Sequence, residues 1–129
     1  MESRTPTILF VDDDPNIQRL LSRIAEKFEF KIVQALNGEE ALVKIKQESV
    51  DLVLLDIMMP QMDGRDVCKR IKGDDATKDI PVIIFSARSN QSDRLLGFEL
   101  GADDYITKPF HLEVLMRKIE YFLQERVPK

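Results

Sequence analysis

The sequence predicts an α/β domain built on an open, doubly wound sheet of five parallel strands in the order 2-1-3-4-5, with helices on both faces. Three observations carry this. Short apolar runs alternate with stretches of helical periodicity five times over, with no linker, repeat or low-complexity segment between them. The strongest runs, Leu52–Leu55 above all, show no polar alternation, as expected of strands buried on both faces of a parallel sheet. Five βα units are too few to close an eight-stranded barrel, which leaves the open sheet with right-handed crossovers.

The elements follow in order. Strand 1 is Thr7–Val11, ending at Asp12, Asp13 and Asp14. Asp14 is placed to cap a helix whose first residue is Pro15. That helix runs to Phe28 with Ile17, Leu20, Leu21, Ile24 and Phe28 at helical spacing. Strand 2 is Lys31–Ala35. A turn at Asn37-Gly38 leads into helix 2, where Glu39 and Glu40 favour the positive end and Ala41, Leu42 and Ile45 form the apolar face. Strand 3, Leu52–Leu55, runs straight into Asp56, and Pro60 and Gly64 shape the loop beyond. Helix 3 spans about Arg65 to Lys72 with Val67, Cys68 and Ile71 inward. Strand 4 is Pro81–Phe85, closed by Ser86. Ser89 to Ser92 offer caps for helix 4, which ends near Leu100 with Gly101 as its C′ residue. Strand 5 is Asp104–Thr107, broken by Lys108-Pro109. Helix 5 runs from about His111 to Arg126 with Leu112, Leu115, Ile119 and Phe122 on one face.

At 129 residues the chain is read as one domain, residues 7–126, with a short extension at 1–6 and a tail at 127–129. Hydrophobic content of 43% and charged content of 33% fit a globular protein. A formal charge of −4 and the lack of a basic run argue against nucleic-acid binding. No apolar stretch approaches the roughly 20 residues of a membrane span. The first residues carry no signal-peptide pattern, and the single cysteine, Cys68, excludes an internal disulfide. A cytoplasmic setting is expected.

Open α/β sheets bind ligands outside the carboxyl ends of their strands. Strands 1 and 3 are central neighbours in the expected order, so Asp12, Asp13 and Asp56 converge there. Three carboxylates so close repel one another, and a divalent cation relieves that; oxygen ligands with waters suit Mg²⁺. Ser86 and Lys108 end strands 4 and 5 at the same crevice. Pro109 restricts the backbone of Lys108, and the bond between them is a candidate for the cis form. A carboxylate nucleophile, a metal, a hydroxyl and a lysine are the parts of in-line phosphoryl transfer to an aspartate.

These blocks (ILFVDDDP, DLVLLDIMMPQMDG, PVIIFSA and GADDYITKPF) occur in the order found in the receiver domain of two-component response regulators, and the chain resembles that flavodoxin-like family over about residues 7 to 126. The resemblance implies that Asp56 takes a phosphoryl group from a sensor histidine kinase or phosphotransfer protein. It implies that Asp13, Asp56 and the backbone carbonyl of Met58 ligate Mg²⁺, with Asp12 holding a metal-bound water. Ser86 and Lys108 then contact phosphoryl oxygens, and Tyr105 swings inward as Ser86 moves. In this family the helix 4–strand 5–helix 5 face commonly binds an effector domain, a target or a second receiver. Glu113 and Arg117, spaced i, i+4 in helix 5, fit a homodimer through that face. Met58 and Arg88 vary across the family, and neither can orient water as a carboxamide would, so slow self-dephosphorylation is expected.

The same residues have plainer readings. Asp12 and Asp13 can cap a helix, Ser86 can be an ordinary strand end, and Tyr105 a packing aromatic. Met58, Met59 and Met62 fit loop and core filling, and Cys68 fits a small core residue. His111 fits a surface or cap position, and Asp74 and Asp75 a solvated loop. Asp103 and Asp104 fit a turn and strand start. A true aspartyl phosphatase usually carries a second acid two residues after the nucleophile, where this chain has Met58. A receiver kept only as a binding scaffold would lack some of these polar residues.

Overall fold

The structure, a computed structural model, describes residues 5–57, 64–86 and 91–126, the side chains of 91–94 and 125–126 excepted. The elements are β1 (Thr7–Val11), α1 (Pro15–Phe28), β2 (Lys31–Ala35), α2 (Gly38–Gln47), β3 (Leu52–Leu55), α3 (Gly64–Gly73), β4 (Val82–Ser86), α4 (Gln91–Glu99), β5 (Asp104–Thr107) and α5 (Leu112–Arg126). The strands are parallel in the order β2-β1-β3-β4-β5, as expected.

Strand alternation sends successive side chains to opposite faces, and both faces are covered. Leu9, Val11, Val53, Leu55, Val82, Ile84 and Tyr105 pack with α2 and α3. Ile8, Phe10, Leu52, Leu54, Ile83, Phe85 and Ile106 pack with α1 and α5. Every residue of β1, β3 and β4 is buried.

The caps at Asp14 and Gly101 are the expected ones, Asn37 caps α2 where only a turn was expected, and the cap candidates Ser89 to Ser92 lie outside the described residues or side chains. Asp14 accepts from the Asn16 amide at 2.9 Å and Pro15 opens α1. Asn37 accepts from the Glu40 amide at 2.8 Å to start α2. Gly101 has φ +97° after α4, and Ala102 N donates back to Gly97 O at 3.1 Å, a Schellman closure. The Lys108–Pro109 bond is cis.

Several boundaries and faces differ from the expectation. β4 begins at Val82 rather than Pro81 and includes Ser86. α5 starts at Leu112, with exposed His111 accepting from Leu115 N at 3.1 Å at its start. α1 turns Gln18, Leu21, Ile24 and Ala25 inward, leaving Leu20 and Phe28 exposed. At 100° per residue Leu20 cannot share the seam with Leu21 and Gln18. Leu112 is also exposed; the core residues of α5 are Leu115, Met116, Ile119 and Leu123. Asp74 is the loop residue expected, and there it accepts from the Ala76 amide and pairs with Lys46.

Cys68 is fully buried among the α3 contacts, and that burial pushes its thiol up to about 11. The reactive thiolate is therefore scarce at neutral pH. Ellman's reagent should leave the folded protein untouched and titrate one thiol after urea is added; rapid labelling of the native state would contradict this packing.

Candidate functional site

The site begins where the ladders end. Val11 lies opposite Leu55, so Asp12 and Asp56 leave adjacent strands side by side. Asp12 N still donates to Ala35 O at 3.1 Å, and Asp56 N donates to Val11 O at 2.9 Å. On the other side Lys108 N donates to Ser86 O at 2.7 Å. Each of these backbones is therefore held as firmly as a strand.

Carboxylate oxygens of Asp12, Asp13 and Asp56 all lie within 4.8 Å of one another. Asp12 is 0% exposed and Asp56 5%, while Asp13 faces solvent. Lys108 crosses the pocket: its Nζ donates to Asp12 Oδ2 at 2.8 Å and to Asp56 Oδ2 at 3.2 Å, lying 4.9 Å above the centre of the Phe85 ring. Asp12 Oδ1 accepts from the Asp14 amide at 2.9 Å.

Burial pushes the Asp12 carboxyl above its usual range, against the pull of the Lys108 hydrogen bond and the Asp14 amide. Burial also works against the Lys108 ammonium. There the Asp12 hydrogen bond and the charges of Asp12 and Asp56 outweigh it, and the net shift is upward. Three carboxylates against one ammonium leave two negative charges, 3 − 1, if all ionise. An all-oxygen donor set with that residual charge fits a hard divalent cation such as Mg²⁺.

Asp12, Asp13, Asp56 and Lys108 are thus brought together. Ser86 is wholly buried at the end of β4 and continues the alternation of Ile84, on the sheet face that also holds Tyr105. Tyr105 is 6% exposed and already packed inward, near Gly97 of α4. Met58, Met59, Met62 and Arg88 lie outside the described residues. Glu113 and Arg117 are exposed on α5. Asp103 pairs with Lys72 at 2.7 Å and Asp104 with Lys118 at 2.6 Å.

Two residues that support the site were not legible as such. Gln18, a polar side chain on α1, is buried against the end of β1. Gly64, read only as a loop former, packs on the acceptor's own backbone. A Cβ there would collide with Ile57 Cα and would lie 2.5 Å from the Asp56 carbonyl oxygen.

A buried acidic pocket crossed by a lysine, at the carboxyl edge of a doubly wound parallel sheet, is built to take an anionic group together with a cation. The chain belongs to the response regulator receiver domain family, whose pattern it matches over residues 8–120. It is 39% identical over 126 residues to the DNA-binding dual master transcriptional regulator RpaA of Synechocystis sp., covering 96% of this chain and 52% of that protein. It is 46% identical over 112 residues to the response regulator GtcR of Aneurinibacillus migulanus, covering 86% and 45%. The chain spans about half the length of the curated relatives it matches. Among solved structures, a putative response regulator from Chloroflexus aurantiacus aligns with TM-score 0.87 at 32% identity, over 93% of this chain and 98% of that one. The BeF3-activated DrrB receiver domain aligns with TM-score 0.83 at 35% identity, over 94% and 99%. The protein is a phosphoacceptor module of two-component signalling, a signalling module rather than a true enzyme, and a receiver implies a cognate histidine kinase.

The contact at Gly64 makes a direct prediction. Gly64→Ala must displace the Asp56–Ile57 backbone and should cost about 1–3 kcal/mol in urea unfolding. An unchanged midpoint would contradict the packing.

Proposed function

We propose that Asp56 takes the phosphoryl group from the phosphohistidine of a sensor kinase or phosphotransfer protein. The observation that carries this is the Lys108 ammonium bonded at once to Asp12 and Asp56, beside the exposed carboxylate of Asp13. An Asp56 oxygen attacks phosphorus as the phosphorus–nitrogen bond breaks; the donor imidazole keeps the electron pair and is reprotonated. Lys108 and the Ser86 hydroxyl receive the phosphoryl oxygens. Asp13 and Asp56 would hold Mg²⁺ as ligands, and Asp12 would hold a metal-bound water. When bound, the metal neutralises the charge that Lys108 leaves over and draws negative charge from the phosphoryl oxygens.

The new phosphate adds charge and acceptor oxygens on Asp56. Ser86 moves toward it and Tyr105 takes up the space released, changing the α4–β5–α5 face by a population shift. Support comes from the shared placement of Ser86 and Tyr105 on one sheet face and from the tight seat of α4 on Ile84 and Tyr105 of that face. A Cβ at Gly97 would meet Ile84 Cδ1 at 2.8 Å and Tyr105 Cδ2 at 3.4 Å. Exposed Leu95 and Phe98 on α4 offer apolar surface for an effector domain, a target or a second receiver. The receiver unit is taken as residues 7–126, acting in the cytoplasm. Among the described residues no helix is long and apolar enough to cross a membrane.

Incubation with acetyl phosphate and Mg²⁺ followed by intact mass measurement should show one phosphoryl adduct, absent in Asp56→Asn. No adduct, or multiple turnover on outside substrates, would overturn the reading. The adduct should also decay slowly, because Met58 and Arg88 supply no carboxamide to orient water. A phosphoryl half-life of seconds in the wild-type protein would contradict that.

A further inference from the structure

We propose that Gln18 is a positioning residue for this pocket: its side-chain amide clamps the main chain where β1 and β2 end, fixing the direction in which Asp12 and Asp13 leave the sheet. The role rests on the reading of the pocket as a Mg²⁺ and phosphoryl site.

Gln18 is 2% exposed, one turn into α1. Its Nε2 donates to Asp12 O at 3.0 Å, Ala35 O at 3.2 Å and Phe10 O at 3.3 Å. An amide nitrogen carries two hydrogens, so the three carbonyls share them. They are not arbitrary carbonyls. Ala35 O also takes the Asp12 amide, the last rung between β1 and β2, and Asp12 O belongs to the pocket residue itself.

The orientation is determined. A flipped amide would aim its oxygen at carbonyl oxygens, which is repulsive. Instead Oε1 is buried with no hydrogen-bond partner among the described residues. Burying an unpaired polar atom is costly, and the neighbouring Leu21, Ile24 and Ala25 show that an apolar side chain would suit this face. What a glutamine adds here is its donor end.

The amide acts from a fixed base. Gln18 O accepts from Ser22 Oγ at 3.0 Å and from Gln34 Nε2 at 3.4 Å, and Gln34 Nε2 also donates to Ser22 Oγ at 2.7 Å. Those bonds join α1 to β2. From the other direction, Asp12 Oδ1 holds the Asp14 amide, and Asp14 caps α1. The segment Asp12–Asp14 is therefore closed into a ring: side chain of Asp12 to Asp14, Asp14 to α1, and Gln18 of α1 back to Asp12 O. Asp13 lies inside that ring, and its carboxylate inherits its direction.

The test compares Gln18→Met, which keeps the size and loses the donor, with Thr77→Val. The latter removes a buried bond from Thr77 Oγ1 to Ile71 O, at the opposite edge of the sheet. In metal-free protein, hydrogen–deuterium exchange of the Asp14 amide should quicken in Gln18→Met and stay unchanged in Thr77→Val. Affinity for Mg²⁺ alone, followed through amide chemical shifts, should fall roughly tenfold or more in Gln18→Met, as for other groups that orient metal ligands, and hold in Thr77→Val. Gln18→Asn, whose amide is one methylene short, should give the same losses to a smaller degree, and serves if the methionine variant does not fold. Wild-type exchange and affinity in Gln18→Met would overturn the proposal. Equal losses in Thr77→Val would overturn it too, by reducing the effect to stability. If the wild-type protein binds no Mg²⁺ while the Asp14 amide still answers to Gln18→Met, the reading of the pocket falls and the clamp on Asp12 stands.

Discussion

The pairing of Lys108 with Asp12 and Asp56 is the constraint on which the rest depends. Moving a carboxylate out of water costs several kcal/mol even after relaxation, and here Asp12 is buried completely and Asp56 nearly so. Lys108 offsets part of that cost, and its Phe85 and backbone contacts hold it over the carboxylates. The compensation is incomplete: burial still lifts the Asp12 carboxyl above its ordinary range despite the ammonium 2.8 Å away. A pocket left short of positive charge is poised for a divalent cation. The same lysine is then within reach of anionic oxygens brought to Asp56.

The sheet divides this chemistry between its two faces. Asp12, Asp56 and Lys108 continue the alternation of Phe10, Leu54 and Ile106, which pack toward α1 and α5. Ser86 and Tyr105 belong with Ile84 on the face under α4. The acceptor carboxylate therefore lies on one face of the sheet, and Ser86 and Tyr105 lie on the other. The link between the faces is short: Ser86 O is held by the Lys108 amide, so the strand ends that carry the hydroxyl and the ammonium are coupled through the backbone.

Much of this was legible in the sequence because it depends on strand order and on the last residue of each strand. Apolar runs without alternation identified the strands, and their order brought Asp12, Asp13 and Asp56 together. What was not legible depends on angles and contacts between elements. Leu20, Phe28 and Leu112 fit a loose helical spacing, yet the inward seam admits Gln18, Leu21, Ile24 and Ala25 in α1 and Leu115 in α5. Gln18 gave no signal because a polar residue on an amphipathic helix is ordinarily solvated. Only the approach of α1 to the end of β1 reveals carbonyls beneath it. Gly64 was recognised as a loop residue, but the closeness of the Asp56 carbonyl is a tertiary fact.

The opposite edge of the sheet is tied by satisfied polar groups, in contrast to the pocket side. There Thr7 N donates to Asp51 Oδ2 at 2.8 Å and Asp51 N returns a bond to Thr7 O at 2.8 Å, locking β1 to the start of β3. Asp103 Oδ2 takes both the Val82 amide and the Lys72 ammonium, and Lys72 also reaches Ile80 O, which ties α3, β4 and β5 together. Polar groups satisfied in this way, fully buried at Asp51 and partly buried at Lys72, rigidify the structure around them. The carboxyl edge has the reverse character, with close-packed carboxylates and a lysine whose burial works against its charge. A domain tied at one edge by satisfied polar groups thus carries its uncompensated charge at the other. That is what a module switched by the arrival of one phosphoryl group requires.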